Sequence, residues 1–148
     1  MENRIFIKIF LLIILLVILV GVMLKKKEAK LTINGQTINV EIADNEISRG
    51  KGLSGKSMLA ENQGMLFVYS RPGRYSFWMN LMKFNLDFIY IKGNKVVDLI
   101  EDVPNPKMGE MPKIVNAKTE FDKVLEVNSG TIGKIRIKIG DLATLKNE

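Results

Sequence analysis

The chain of 148 residues is long enough for one domain with its own core, and it contains no histidine and no cysteine. That composition excludes disulfides, thiolate metal sites, cysteine nucleophiles and every Ser–His or Cys–His arrangement. The net charge of +6 is unevenly placed: residues 1–30 hold six Lys and Arg against two acids, so only +2 falls on residues 31–148, and no nucleic-acid partner is expected.

Residues 9–24 are apolar and uncharged, and extending back to Ile5 adds one charge, Lys8. Twenty helical residues span roughly 30 Å, the thickness of a bilayer's hydrocarbon core. The pattern predicts a single N-terminal transmembrane helix at about residues 5–24, a basic linker to residue 30 and one globular domain over 31–148. A cleaved signal peptide is disfavoured, because Val22-Met23-Leu24 runs straight into Lys25-Lys26-Lys27 with no small-x-small site. Both flanks are basic, so charge does not set the orientation.

In the remainder, Leu31-Thr32-Ile33, Asn34-Gly35 and residues 36–42 read as a hairpin on a two-residue turn. Asp44 is placed to cap a short helix over residues 45–51. Residues 65–69, 75–79, 86–91, 95–100 and 123–127 are strand-like, with a Pro-Gly turn at 70–74 and a proline-rich loop at 103–112. Ile135, Ile137 and Ile139 alternate with Arg136 and Lys138, which by period reads as another strand. The only tryptophan, Trp78, lies in the aromatic stretch 64–91, around which the core is expected to form. Short strands with glycine and proline turns predict a mainly β fold, a small sandwich or barrel with one or two short helices.

Several motifs suggest chemistry. Residues Gly50 to Ser57 match the phosphate-binding pattern G-x-x-x-x-G-K-[ST], yet no strand precedes them and no substantial helix follows, so nucleotide binding ranks last. Ser48 to Lys51 satisfies S-x-x-K without the other elements of that site. Met79/Met82 and Met108/Met111 are spaced as soft copper(I) ligands, the loop pair Met108 and Met111 being the weak metal candidates; core filling is the commoner use of methionine. Asp87 sits between Leu86 and Phe88 inside an apolar run and is the best acid–base candidate, with Glu101-Asp102 as a possible source of a second carboxylate. The competing reading of Asp87, favoured on frequency, is a carboxylate satisfied by backbone amides.

The ordered blocks Arg49-x-x-Gly52-Leu53, Gly64-Met65-Leu66-Phe67-Val68, Phe77-Trp78-Met79, Leu86-Asp87-Phe88-Ile89, Val124-Leu125-Glu126-Val127 and Gly140-Asp141 carry a family resemblance over residues 38–141. The chain resembles the domain of unknown function 192 family, also called uncharacterised protein family 0127. The resemblance implies a compact, mostly β domain, commonly exported or membrane-tethered, and it carries no known activity. It tips the domain towards the outside of the cytoplasm, explains the phosphate-loop match as coincidence, and suggests a short helix near 131–135 where periodicity favours a strand. Asn80-Leu81 stands where the family tends to have Lys-Asn, Asn85 where it has proline, and Ser54 where it has methionine.

The expected function is a membrane-tethered binding or accessory module for a small or envelope-associated ligand. It uses no cofactor, and Arg49, Trp78, Asn80 and Asp87 are its candidate contacts. The alternative is an envelope enzyme working through Asp87 and a second carboxylate.

Overall fold

A computed structural model describes the backbone of residues 2–23 and 27–147 and the side chains of residues 5–17 and 27–146. The chain begins with helix α1 (Glu2–Met23). Among the described residues no helix is long and apolar enough to cross a membrane, and this overturns the expected anchor over residues 5–24. Where its side chains are described, over residues 5–17, α1 carries Lys8 and rises roughly 20 Å at about 1.5 Å per residue, less than a hydrocarbon core of roughly 30 Å. The remainder of the expected span, residues 18–24, lies outside the described side chains. The single-pass membrane localisation rested on that anchor and falls with it.

The hairpin forms as expected. Strands β1 (Glu28–Ile33) and β2 (Gln36–Ala43) pair antiparallel around Asn34 and Gly35, whose φ values of 50° and 75° are those a two-residue turn needs. Helix α2 (Glu46–Lys51) follows, capped by Asn45 rather than Asp44: Asn45 accepts from the Ser48 amide at 2.9 Å, and Ser48 Oγ accepts from the Asn45 amide at 3.2 Å. Strand β3 (Gln63–Gly73) runs on through the expected turn at 70–74, and its pairing shifts register between Val68 and Gly73. Then come β4 (Ser76–Trp78), β5 (Leu86–Lys92), β6 (Lys95–Val103), β7 (Ile114–Asn116) and β8 (Phe121–Asn128).

The isoleucine alternation at 135–139 is not a strand. Residues Thr131–Ile135 form helix α3, preceded by Gly130 at φ 84° and ended by Arg136 at φ 54°. The final strand, β9 (Ala143–Asn147), gave no readable signal in the sequence.

Among the described residues, seven strands form one sheet in the order β6-β5-β8-β3-β2-β1-β9, while β4 and β7 form a separate ribbon. This is a curled half-barrel, not two stacked sheets. The curl brings its two edge strands together at one end, where Lys95 bridges Leu142 and the Val96 amide donates to the Asp141 carbonyl at 2.9 Å. Each face has its own core. Inside the curl lie Leu31, Ile33, Val40, Leu66, Ile89 and Leu125, closed over by Ile132 and Ile137 from α3 and the turn after it. Outside it Phe67, Phe88, Tyr90, Phe121 and Val124 pack beneath the β4–β7 ribbon, with Phe77 and Val115 supplied by the ribbon itself.

Strands β3, β5 and β8 are therefore covered on both faces, which explains their nearly continuous apolar sequences. The packing there is tight enough to demand a particular glycine. A Cβ on Gly64 would lie 2.9 Å from the Glu126 carbonyl oxygen and 2.9 Å from Leu125 Cδ1. Gly64→Ala is expected to cost about 1–3 kcal/mol by forcing β3 away from β8. Urea unfolding of the variant checks this, and Gly50→Ala, whose Cβ would meet nothing within 4 Å, serves as control.

Candidate functional site

The outer face of the sheet carries a cleft of about 230 Å³ between the end of α2, the ribbon strand β4 and the outer side of β3 and β8. Its charged or acidic side chains are Arg49, Lys51 and Glu126, with Ser54 and Ser76 beside them, and its aromatic walls are Phe67, Tyr69, Phe77 and Trp78. Two of the residues singled out from the sequence, Arg49 and Trp78, meet here.

Arg49 projects from the last turn of α2. One guanidinium nitrogen, Nη1, donates to the Val68 carbonyl at 2.9 Å, and the guanidinium carbon lies 5.0 Å from the centre of the Tyr69 ring. Tyr69 is itself stacked on Tyr75 with ring centres 3.7 Å apart. The planar fork is thus held by a hydrogen bond and a cation–π contact. Its other N–H groups have no hydrogen-bond partner among the described residues.

Trp78 is the outward-facing member of β4 and remains 61% exposed, while its strand neighbours Phe77 and Met79 are buried. Its cross-strand partner Ile114 on β7 is exposed as well. Asn80 lies just beyond, and what it contributes is backbone: its carbonyl accepts from Ser54 Oγ at 2.8 Å, and the next carbonyl, that of Leu81, accepts from the Gly55 amide at 3.1 Å. Those bonds fasten the loop after α2 to the turn after β4. Leu81 is held at φ 55°, a left-handed conformation uncommon for a side-chain-bearing residue.

The central group of the cleft is one that the chemical reading of the sequence passed over. Glu126 is only 5% exposed, in the middle of β8, with Met65 of β3 and Phe88 of β5 as its cross-strand partners. Its carboxyl makes no hydrogen bond among the described residues. Removal from water pushes its pKa up to about 8, so at neutral pH it is mostly the uncharged acid, with an O–H to donate and a carbonyl oxygen to accept. Burial likewise raises the Tyr69 hydroxyl to about 12, an effect that the nearby Arg49 cation opposes and the neighbouring Tyr75 and Glu126 reinforce. The Tyr90 hydroxyl is buried without a hydrogen-bond partner among the described residues, and burial, then the carboxyls of Asp98 and Glu126, hold its pKa high. The signal for Glu126 was present in the sequence. A lone acid in Val124-Leu125-Glu126-Val127 is the same anomaly that drew attention to Asp87.

Asp87 is placed elsewhere. It is fully buried, but on the inner face of β5, and both its oxygens are engaged: Oδ1 accepts from the Asp102 amide at 2.9 Å and Oδ2 from the Ile132 amide at 2.9 Å. Glu101 and Asp102 are exposed on β6, where the Asp102 side chain accepts from Asn85 Nδ2 at 2.9 Å and Ser129 Oγ at 2.7 Å. The structure therefore brings Asp102 to Asp87 through backbone, not as a facing carboxylate, and brings neither to the cleft.

The phosphate-loop match falls on the end of α2 and the turns beyond it, and its lysine, Lys56, is paired with Glu41 at 3.0 Å. Met108 and Met111 stand exposed on the loop after β6, whereas Met79 and Met82 are buried in the outer core. Among the described residues no group of three or more acids could hold a metal ion.

Two solved structures share this architecture. A crystal structure from Sinorhizobium meliloti 1021, provisionally named a transcription regulator, aligns with a TM-score of 0.73 at 23% identity over 82% of this chain and 96% of its own, a likeness of fold alone. A protein of unknown function from Novosphingobium aromaticivorans DSM 12444 aligns with a TM-score of 0.70 at 27% identity over 79% of this chain and 84% of its own. Comparison with curated proteins gives no match. The blocks that suggested a family from the sequence form the two cores and one side of the cleft, and the family model for DUF192, "Uncharacterized ACR", matches residues 29–145: the chain belongs to that family.

Proposed function

We propose that this protein is a binding module for a small organic ligand, and that Arg49, Tyr69, Trp78 and Glu126 form its site. One observation carries the reading. Glu126 is a buried carboxyl with no hydrogen-bond partner among the described residues, and it lines a cleft that also holds an arginine fork and an exposed indole. Burial keeps water from most of that carboxyl, so a ligand that offers it hydrogen bonds from the cleft gains more there than at a fully solvated acid.

Binding without catalysis is the reading the geometry favours. Among the described residues lining the cleft, Glu126 is the one acid, so the paired carboxylates considered for hydrolysis have no counterpart there. Arg49, always charged, orients and neutralises rather than transferring protons.

The test is a thermal-shift screen of the full chain against small organic acids, amines, sugars, nucleotides and metal ions, since a ligand that binds only the folded state raises the midpoint by mass action. Hits are expected to raise it by several degrees, and the shift should vanish in Arg49→Ala and Trp78→Ala. Hits that stabilise both variants as strongly as the native chain bind elsewhere, and that result ends the proposal.

A further inference from the structure

Resting on the cleft as the site, we infer that its ligand is a small aromatic monocarboxylate, with the carboxylate on Arg49 and Glu126 and the ring against the Phe67–Phe77 wall, below Trp78 at the rim. Three features of the lining lead to this chemistry.

The first is charge. Arg49 and Lys51 line the cleft, and the acid opposite them is held uncharged at neutral pH by its burial. The cleft is therefore positive where a carboxylate alone would suggest otherwise. A cationic ligand would meet the guanidinium with no anion to balance it. A phosphate dianion would balance Arg49 and Lys51 but would leave the aromatic walls without a partner.

The second is hydrogen-bond geometry. A guanidinium presents parallel N–H donors that match the two oxygens of a carboxylate. Here the fork is pre-positioned by Val68 and Tyr69, and most of its donors are unspent. The protonated Glu126 adds an O–H donor, so a ligand carboxylate would satisfy the buried group as well as Arg49. An alcohol or amide would satisfy Glu126 and leave Arg49 unneutralised.

The third is shape and surface. Phe67 and Phe77 meet edge to face with centres 5.1 Å apart and planes at 89°, and Trp78 holds a largely exposed indole at the mouth. A flat ring has aromatic faces and edges to pack on, each such pair adding about 0.5–1.5 kcal/mol beyond buried area. The volume of about 230 Å³ admits a single substituted ring, not a chain.

Trp78 is the only tryptophan, so tryptophan emission, excited beyond the tyrosine band, reports from the cleft. Titration of the full chain at pH 6.5 with benzoate, benzamide, benzylamine, acetate and inorganic phosphate tests the inference directly. Benzoate is expected to change the emission saturably and to bind at least tenfold more tightly than benzamide, benzylamine or acetate. Arg49→Gln should lose at least tenfold, and Arg49→Lys, which keeps the charge but not the fork, several-fold. The thermal midpoint of each variant without ligand shows that it is folded, and Lys118→Ala, which does not line the cleft, should bind as the native chain does.

Tighter binding of benzylamine or benzamide, still dependent on Arg49 and Trp78, overturns the carboxylate assignment and leaves the cleft as the site. Acetate or phosphate matching benzoate overturns the aromatic part. Failure of all five probes at millimolar concentration overturns the inference, and the cleft falls with it only if the wider thermal-shift screen also yields no hit that depends on Arg49 and Trp78.

Discussion

Glu126→Gln will make the protein more stable at pH 8, not less. Below the ordinary glutamate value of 4.5 the carboxyl is protonated in folded and unfolded chains alike. Between there and about 8 only the folded chain retains the proton, because the buried site disfavours the charge. The folded state then binds more protons than the unfolded one, so stability falls as pH rises across that window, by up to about 1.4 kcal/mol per pH unit. The full interval corresponds to a ceiling of roughly 5 kcal/mol, lost by pH 8. Above that, both states are ionised and the contribution is flat.

Glutamine has nearly the same shape and never ionises, so the variant should match the native chain near pH 4.5 and pull ahead steadily towards pH 8. Urea midpoints of both proteins at pH 5, 6.5 and 8 measure the gap, and other titrating groups cancel in the difference. Parallel pH profiles for the two proteins would falsify the assignment of a raised pKa to this residue. A bound carboxylate should also narrow the gap below pH 8, because it stabilises the protonated acid.

Asp87→Ala is expected to cost about 2–5 kcal/mol by removing the acceptors of two backbone amides at once. The Ile132 amide lies in the first turn of α3, where the helix cannot satisfy its own N–H groups. The Asp102 amide belongs to a residue held at φ 48°, and the bond from Asp87 helps to keep it in that strained conformation. Around these bonds Asn85, Asp102 and Ser129 form a polar latch: the Ser129 amide donates to the Asn85 carbonyl at 3.2 Å, and Asn85 Oδ1 accepts from the Asn105 amide at 3.1 Å. Losing Asp87 therefore loosens α3, the end of β6 and the loop after it together. Asp87→Asn keeps one acceptor and turns an N–H towards the other amide, so its cost should be smaller, about 1–3 kcal/mol. Denaturant unfolding gives the total, and faster amide exchange at Ile132 locates it. An alanine variant of native stability with altered ligand binding would return Asp87 to the list of functional residues.

The two carboxylates show how far the sequence could be read. Each interrupts an apolar run in a strand buried on both faces, and sequence alone does not tell which face of that strand meets a helix and which meets a cleft. Asp87 drew a functional reading, and the favoured alternative, amide satisfaction, describes its observed contacts. Glu126 was quoted only as part of a family block, and its chemistry depends on Arg49 and Trp78, residues 77 and 48 positions away in the chain. The hairpin at Asn34-Gly35 and the strands around Phe67, Phe88 and Val124 were legible because turn chemistry and apolar runs are local. Residues 131–139 were not. Their isoleucine spacing fits a strand, and the helix is decided by Gly130 and by an acceptor on β5. The N-terminal span was read from residues 5–24 taken together, and the part described with side chains, 5–17, does not supply one by itself.

The pairing of β1 with β9 sets the timing of assembly. Ala29 lies opposite Asn147 and Ile33 opposite Ala143, so the earliest strand of the sheet finds its outer neighbour only in the latest. During synthesis β1 and β2 can form their hairpin at once, yet the free edge of β1 stays open until almost the whole chain has left the ribosome. Over that interval an unpaired edge with Leu31 and Ile33 at its base is available to other nascent copies. Slow folding with a late, cooperative final phase follows from this topology, and so does a hazard of aggregation that belongs to the newborn chain rather than to the finished one.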